Sequence, residues 1–171
     1  MNRNVEIKAR IADLEQTLRL AEALSDSPPR TLVQEDIFFI APGGRLKLRT
    51  IDGACSELIY YERPNETGPK SCQYIRAAVP EPGLMRDLLT RAYGVRGIVR
   101  KRRILCLVGQ TRIHLDQVDG LGDFLELEVV MQPNESAEEG VRIAREIMCR
   151  LHVDDESLVS EAYIDLLTGT P

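Results

Sequence analysis

Glu126 and Glu128 stand two positions apart in Leu125-Glu126-Leu127-Glu128-Val129, and on a strand that spacing sends both carboxylates from one face. A third carboxylate from a separate segment, Glu6, would complete an oxygen cage suited to a hard divalent ion such as magnesium or manganese. The plainer alternative is a set of exposed glutamates offsetting neighbouring cations. Those cations are Lys8, Arg10, Arg45, Lys47, Arg49, Lys101, Arg103 and Arg112. If they converge in a partly dry space, their repulsion is roughly 4 kcal/mol for each close pair at intermediate dielectric, unless an anion is bound. A phosphate chain is the natural guest, because arginine forks grip its oxygens in pairs while lysines act as point charges. Scattered over an outer surface, the same residues would do nothing of the kind.

The elements that position these groups share one pattern. In Asn4-Val5-Glu6-Ile7-Lys8-Ala9-Arg10 a period of two separates a polar face from an apolar one. The pattern recurs in Arg45-Leu46-Lys47-Leu48-Arg49, in Arg112-Ile113-His114-Leu115-Asp116 and in the Glu126 segment. Solvent-facing strands usually mix Thr, Ser, Gln and Lys, whereas these polar faces are ionic and grouped by sign. That is the expectation for a barrel whose lumen takes a polyanion through cations and a metal through carboxylates.

A chain of 171 residues is long enough for one domain with a substantial core, so residues 1–171 are read as a single unit. With no Trp and three Phe, that core is aliphatic. A net charge of −5 argues against a general nucleic-acid binder, so the positive charge must be local. Cys55, Cys72, Cys106 and Cys149 show no paired spacing for zinc or redox work and are expected to be reduced. Strand pattern from the fourth residue leaves no room for a signal peptide, and no apolar run reaches membrane-spanning length. A cytoplasmic protein without nucleic-acid or membrane partners is expected, and a homodimer is compatible with the chain.

Asp13 with Gln16 opens a helix whose stripe is Leu14, Leu18, Ala21 and Leu24. Strands follow from about Leu32 to Ile40, Arg45 to Thr50, Glu57 to Arg63, and Lys70 to the residue before Pro80, with Arg76 facing the lumen. Pro82 and Gly94 frame a second helix, with Leu84, Met85, Leu88, Leu89 and Ala92 as its buried side. Three more strands run over Val99 to Val108, Thr111 to Val118 and Phe124 to Met131. Ser136 and Glu139 cap a third helix with Val141, Ala144, Ile147, Met148 and Leu151 as its stripe, and a last short helix spans about Glu156 to Leu167. About eight strands without a βαβ rhythm give an α+β fold, an eight-stranded antiparallel barrel with helices packed outside.

Taken in order, these segments resemble the CYTH superfamily, the triphosphate tunnel metalloenzymes, and within it the class IV adenylyl cyclase branch. The residues carrying the resemblance are Asn4-Val5-Glu6-Ile7-Lys8 with Arg10, against a family signature of Glu-x-Glu-x-Lys, then Arg45 to Arg49, Lys101-Arg102-Arg103, Arg112 to Asp116 with Gly120-Leu121-Gly122, and Glu126-Leu127-Glu128. The resemblance implies a tunnel in which Glu6, Glu126 and Glu128 hold a divalent ion, magnesium or manganese. It implies that Lys8, Arg10, Arg45, Lys47, Arg49, Lys101, Arg103 and Arg112 face the phosphates of a small-molecule triphosphate. Lys8, Arg49, Arg112 and Asp116 are the expected catalytic set, Asp116 orienting a cation or the metal's water, and His114 is expected to be a structural neighbour. Two departures stand out: Asn4 replaces the first glutamate, and Leu58-Ile59-Tyr60-Tyr61 lacks a lysine that Arg63 or Lys70 would replace. The implied activity is conversion of ATP to cyclic AMP and pyrophosphate, with hydrolysis of a triphosphate, or binding without catalysis, as alternatives.

Overall fold

Alternating residues of the first strand must face two different surroundings, and the barrel supplies both: Val5, Ile7 and Ala9 are fully buried against helices outside it, while Glu6 and Lys8 line its interior. The computed structural model describes residues 2–169. The strands are β1 (Asn2–Arg10), β2 (Arg30–Phe39), β3 (Arg45–Ile51), β4 (Cys55–Glu62), β5 (Lys70–Ala78), β6 (Val95–Val108), β7 (Thr111–Val118) and β8 (Gly122–Val130). They close in the order β1-β5-β4-β3-β2-β6-β7-β8, every pair antiparallel, so no edge is left open.

Helices α1 (Leu14–Leu24) and α3 (Ala137–Arg150) cover the apolar outer face of β1, β6, β7 and β8. There Ile7, Ile113, Leu115, Leu125 and Leu127 meet Ala21, Ile147, Met148 and Leu151 in the largest cluster. Local chemistry fixes where these helices start. Asp13 Oδ1 accepts from the Gln16 amide at 2.8 Å, and Ser136 Oγ accepts from the Glu139 amide at 3.3 Å. The β3–β4 hairpin turns on Asp52 and Gly53, with φ of 52° and 68°, the left-handed pair that matches strand twist. Gly44 is required for a different reason: a Cβ there would lie 2.8 Å from the Tyr61 carbonyl oxygen, in backbone already at positive φ.

Three expectations change. Helix α2 (Pro82–Tyr93) fully buries no residue: Met85 and Leu89, four residues apart, are half-buried against Ile37, Phe39, Leu48 and Val79. Leu84 and Leu88 lie on the adjacent stripe and are 56% and 54% exposed, and Ala92 is exposed, because no further layer covers that side. Strand β6 begins four residues early, at Val95, pairing with Phe39 past a bulge at Arg96 in β6. The final helix splits into a single 3-10 turn (Asp155–Ser157) and α4 (Tyr163–Thr168). Between them the chain runs beside β1, where Leu158 bridges Ala9 and the Val159 amide donates to the Lys8 carbonyl at 2.8 Å. No helix among the described residues is long and apolar enough to cross a membrane.

Candidate functional site

Cross-strand register brings the charged faces together. Inside the barrel lies a cavity of about 140 Å³ walled by eight cations (Lys8, Lys47, Arg49, Arg63, Arg76, Lys101, Arg103, Arg112) against five carboxylates (Glu6, Asp36, Glu57, Glu126, Glu128). In a protein of net charge −5 the lumen is therefore locally basic.

Two aspartates organise the basic wall in the same manner. Asp36 faces Arg49 across β2 and β3; Arg49 Nε and Nη2 donate to its two oxygens at 2.7 Å each, and Lys47 Nζ donates at 3.0 Å. Asp116 faces Arg103 across β6 and β7, accepting from Nε at 2.6 Å, from Nη2 at 2.5 Å and from Lys101 Nζ at 3.2 Å. Each carboxylate thus clamps one arginine by its fork and one lysine two positions along. Burial works against both carboxylates, but the adjacent guanidinium and ammonium outweigh it and hold Asp36 and Asp116 well below the usual range. The lysines bear the opposite strain: burial, then Arg49, lowers Lys47 to about 8, and burial, then Arg103, lowers Lys101.

The acidic wall lies across β1 and β8. Glu6 is directly opposite Glu128, and Lys8 opposite Glu126, to which its Nζ is paired at 2.9 Å. Arg103 Nη2 reaches the other oxygen of Glu126 at 2.6 Å. Despite burial, Lys8 and then Arg103 keep Glu126 well below the usual carboxylate range. Burial raises Glu6, with Glu126 and Glu128 adding to it and Arg63, 3.1 Å away, opposing. Glu128 is held loosely, 3.4 Å from Arg112 Nη1 and 3.8 Å from His114 Nδ1.

Do these residues suit a divalent ion? Ligand atoms of His114, Glu126 and Glu128 lie within 4.8 Å of one another. His114 is 4% exposed and its Nδ1 has no hydrogen-bond partner; Asn4 is equally buried, lines the cavity, and its Oδ1 is likewise unpartnered. Buried polar atoms left unsatisfied in this way carry a desolvation cost that a bound ion would remove. Burial, then Arg103, lowers the imidazole to about 4, so at neutral pH it is uncharged, the form that ligates metals. The donor set fits.

The sequence-derived cations divide. Lys8, Lys47, Arg49, Lys101, Arg103 and Arg112 line the cavity together with Glu6, Glu126 and Glu128. Arg10 does not: it is exposed, donates to the Leu121 carbonyl at 3.2 Å and lies over the Phe124 ring. Arg45 is drawn aside to Asp165 at 2.6 Å and Asn65 at 2.8 Å. Both sit at strand ends, where period-two alternation still names the face but no longer the depth. Asp116 is fully buried behind the wall rather than on it. Arg63 is on the wall where the fourth strand lacks a lysine, whereas Lys70 is tied to the carbonyls of Glu66 and Ser160. Arg76 faces the lumen, as its strand position implies.

Sequence reasoning missed Asp36 and Tyr163. Tyr163 comes from α4, passes under Lys8 with its ring centroid 3.6 Å from Nζ, and donates its hydroxyl to Asp116 at 3.0 Å. A carboxylate inside a strand that pairs with a basic one was a usable signal for Asp36. Nothing local marked Tyr163.

Comparisons with known proteins agree with this architecture. A protein of Methanocaldococcus jannaschii named as a provisional adenylate cyclase is 24% identical over 172 residues, covering 95% of this chain and 97% of its own length. A solved structure from Pyrococcus horikoshii OT3 superposes with a TM-score of 0.85 at 28% identity, covering 95% of this chain and 98% of that one. A structure from Hippeastrum, described as an adenylyl cyclase candidate with a dominant triphosphatase activity, shares the fold at a TM-score of 0.68 and 16% identity, with 98% and 97% covered. The CYTH domain model matches residues 2–163, the whole barrel with its charged lumen and nearly the whole chain, and the chain belongs to the CYTH domain family.

Proposed function

We propose that this protein is a divalent-metal-dependent enzyme acting on a triphosphate held in the barrel, in the manner of an adenylyl cyclase that converts ATP to cyclic AMP and pyrophosphate. The observation that carries the reading is the convergence of eight cations on one small cavity whose opposite wall is carboxylate. The name given to the Methanocaldococcus relative supports the cyclase form. Lys8, Lys47, Arg49, Lys101, Arg103 and Arg112 bind the phosphates, and Asp36 and Asp116 fix the two arginine forks before substrate arrives, so little reorganisation is needed as charge develops. Glu6, Glu126 and Glu128, with Asn4 and His114, would hold the ion; when bound, it offsets charge on the phosphoryl group under attack and on the departing pyrophosphate. His114, lowered to about 4, is too weak a base to drive the attack, which leaves electrostatic stabilisation as the main contribution.

Hydrolysis is the second reading, favoured by the triphosphatase activity described for the Hippeastrum protein. Incubation with ATP, tripolyphosphate or thiamine triphosphate and magnesium or manganese separates the possibilities. Cyclic AMP with pyrophosphate marks a cyclase, orthophosphate marks a triphosphatase, and neither product marks a binding module.

Two further results are expected. An imidazole nitrogen in the donor set should make manganese bind at least tenfold more tightly than magnesium, an advantage that His114→Gln removes. Titration followed by manganese paramagnetic resonance checks it, and equal affinities would count against His114. Second, a phosphate chain must find Lys47 charged, although its free value is about 8. Calorimetric affinity for tripolyphosphate should therefore fall as pH rises from 7.5 to 9.5, relative to Lys47→Arg, whose guanidinium stays charged. Parallel profiles for the two proteins would contradict it.

A further inference from the structure

The chain has 22 lysines and arginines, of which only four are lysines, and none of the four is exposed: Lys8, Lys70 and Lys101 are buried and Lys47 is half-buried. Arginine supplies the outer cations, so lysine amines are confined to the barrel's interior and its rim. Lys8, Lys47 and Lys101 line the cavity, whereas Lys70 does not and is held by the carbonyls of Glu66 and Ser160. A compound that reacts with a lysine side chain of this protein must therefore leave bulk water to do so.

Lys47 differs from the others in what surrounds its Nζ. It donates to Asp36 Oδ2 at 3.0 Å, the same oxygen that takes Arg49 Nη2 at 2.7 Å, so ammonium and guanidinium stand side by side. The rings of Phe38 and Tyr61 flank it, each centroid 5.4 Å away, and both rings line the cavity. They interrupt an otherwise ionic wall, and phosphate binding uses neither. Lys101 shares Asp116 with Arg103 in a similar way but is more enclosed, its side chain 3% exposed against 12% for Lys47, and the Tyr163 hydroxyl reaches the same Asp116 oxygen. Lys8 is ion-paired with Glu126 at 2.9 Å. Burial, then Arg49, brings Lys47 down to about 8, and at pH 7.5 roughly a quarter of an amine with that value is uncharged, against about a thousandth for an ordinary lysine. An uncharged amine beside a fixed cation and two aromatic rings is the setting in which lysine acts as a nucleophile.

We propose that Lys47 is a covalent attachment site for small aldehydes that carry a phosphate, held as an imine with the phosphate against Arg49 and the carbon chain between Phe38 and Tyr61. The proposal rests on the phosphate-binding lumen of the triphosphate reading and adds a second ligand class to it. The uncharged Lys47 nitrogen attacks the aldehyde carbon, a nitrogen-bound proton passes to the carbonyl oxygen, and loss of water leaves the carbon–nitrogen double bond. No electrons are gained or lost, and hydrolysis reverses the step. Protonation of the imine nitrogen restores the positive charge, which Asp36 is placed to hold as it holds the free ammonium. Attachment occupies the position that a triphosphate needs, so the two ligands exclude each other.

The test treats the full wild-type chain at neutral pH with glycolaldehyde phosphate and cyanoborohydride, which reduces the imine to a stable secondary amine, and locates the label by peptide mass mapping. Glycolaldehyde without the phosphate, and glycolaldehyde phosphate with excess tripolyphosphate, are the other arms. Expected are at least about tenfold more label on Lys47 than on Lys8, Lys70 or Lys101, a similar dependence on the phosphate, and protection by tripolyphosphate. Lys47→Arg keeps the charge and should leave the other three lysines no more labelled than in wild type. Label spread evenly over the four lysines, or label on Lys47 that does not need the phosphate, overturns the proposal. Absence of label while tripolyphosphate still raises the melting temperature overturns it and leaves the triphosphate reading standing. If tripolyphosphate fails to bind as well, both fall.

Discussion

Glu128→Ala is expected to reduce metal-dependent turnover on the order of a thousandfold, about 4 kcal/mol of lost charge stabilisation, while leaving the barrel folded. The two halves of this expectation come from different contacts. Glu128 and Glu126 share a strand face, Glu6 faces Glu128 from β1, and His114 completes the group, so removing Glu128 takes out its centre. Yet its contacts within the folded protein are long, 3.4 Å to Arg112 and 3.8 Å to His114. Its loss also relieves the like charge that raises Glu6. Stability should therefore change by less than about 1 kcal/mol, the range of a weak ion pair. Steady-state rates with manganese and a thermal melt check the two halves separately. Wild-type rates would remove Glu128 from the metal site, and unfolding would make it structural.

Asp116→Ala should behave in the opposite way. Asp116 is fully buried and accepts from Arg103, Lys101 and Tyr163, so alanine strands Lys101 and a phenol and leaves the Arg103 guanidinium with Glu126 alone. Breaking a buried pair from one side costs about 3–5 kcal/mol, and at roughly 2–4 °C per kcal/mol for a domain of this size the melting temperature should drop by around 10 °C. Adding Lys101→Met should recover part of that loss, because it removes the cation left without its carboxylate. The pH dependence has a definite sign. Asp36 and Asp116 are depressed in the folded state, so their contribution is present above the unfolded aspartate value of about 4 and is lost as pH falls through and below it. Wild-type stability should decline below about pH 4 more steeply than that of Asp116→Asn. A loss under 1 kcal/mol in Asp116→Ala would show that the clamp is not holding the basic wall.

The barrel was legible because its charge pattern repeats. Period two in four segments gave the faces, and sign grouping on those faces pointed inward, which the register of β1, β7 and β8 realises through the opposed pairs Glu6–Glu128, Lys8–Glu126 and Arg112–Glu128. Depth was not legible. Arg10 ends β1 and Arg45 begins β3, and alternation cannot tell a residue halfway along a strand from one at a mouth where Leu121 and Asp165 offer other partners. Asp36 was hidden because Phe38, on the same face, breaks the ionic pattern of β2. Tyr163 reaches the lumen through contacts of α4 with residues of β1, β6, β7 and β8, a nonlocal arrangement that no window of sequence records. The overestimate of α2 has a related cause: apolar spacing marks two adjacent stripes, but the number of layers available to cover them depends on the rest of the fold.

The cationic lumen is the claim on which everything else depends, and a thermal melt of the wild-type protein with and without millimolar tripolyphosphate addresses it without assuming any reaction. A ligand at a hundred times its dissociation constant adds about 2.7 kcal/mol, worth roughly 5–10 °C in a domain of this length. The account predicts a rise of that size, abolished in an Arg49→Ala, Arg103→Ala double variant that still melts cooperatively. A melting curve that tripolyphosphate leaves unmoved would contradict it.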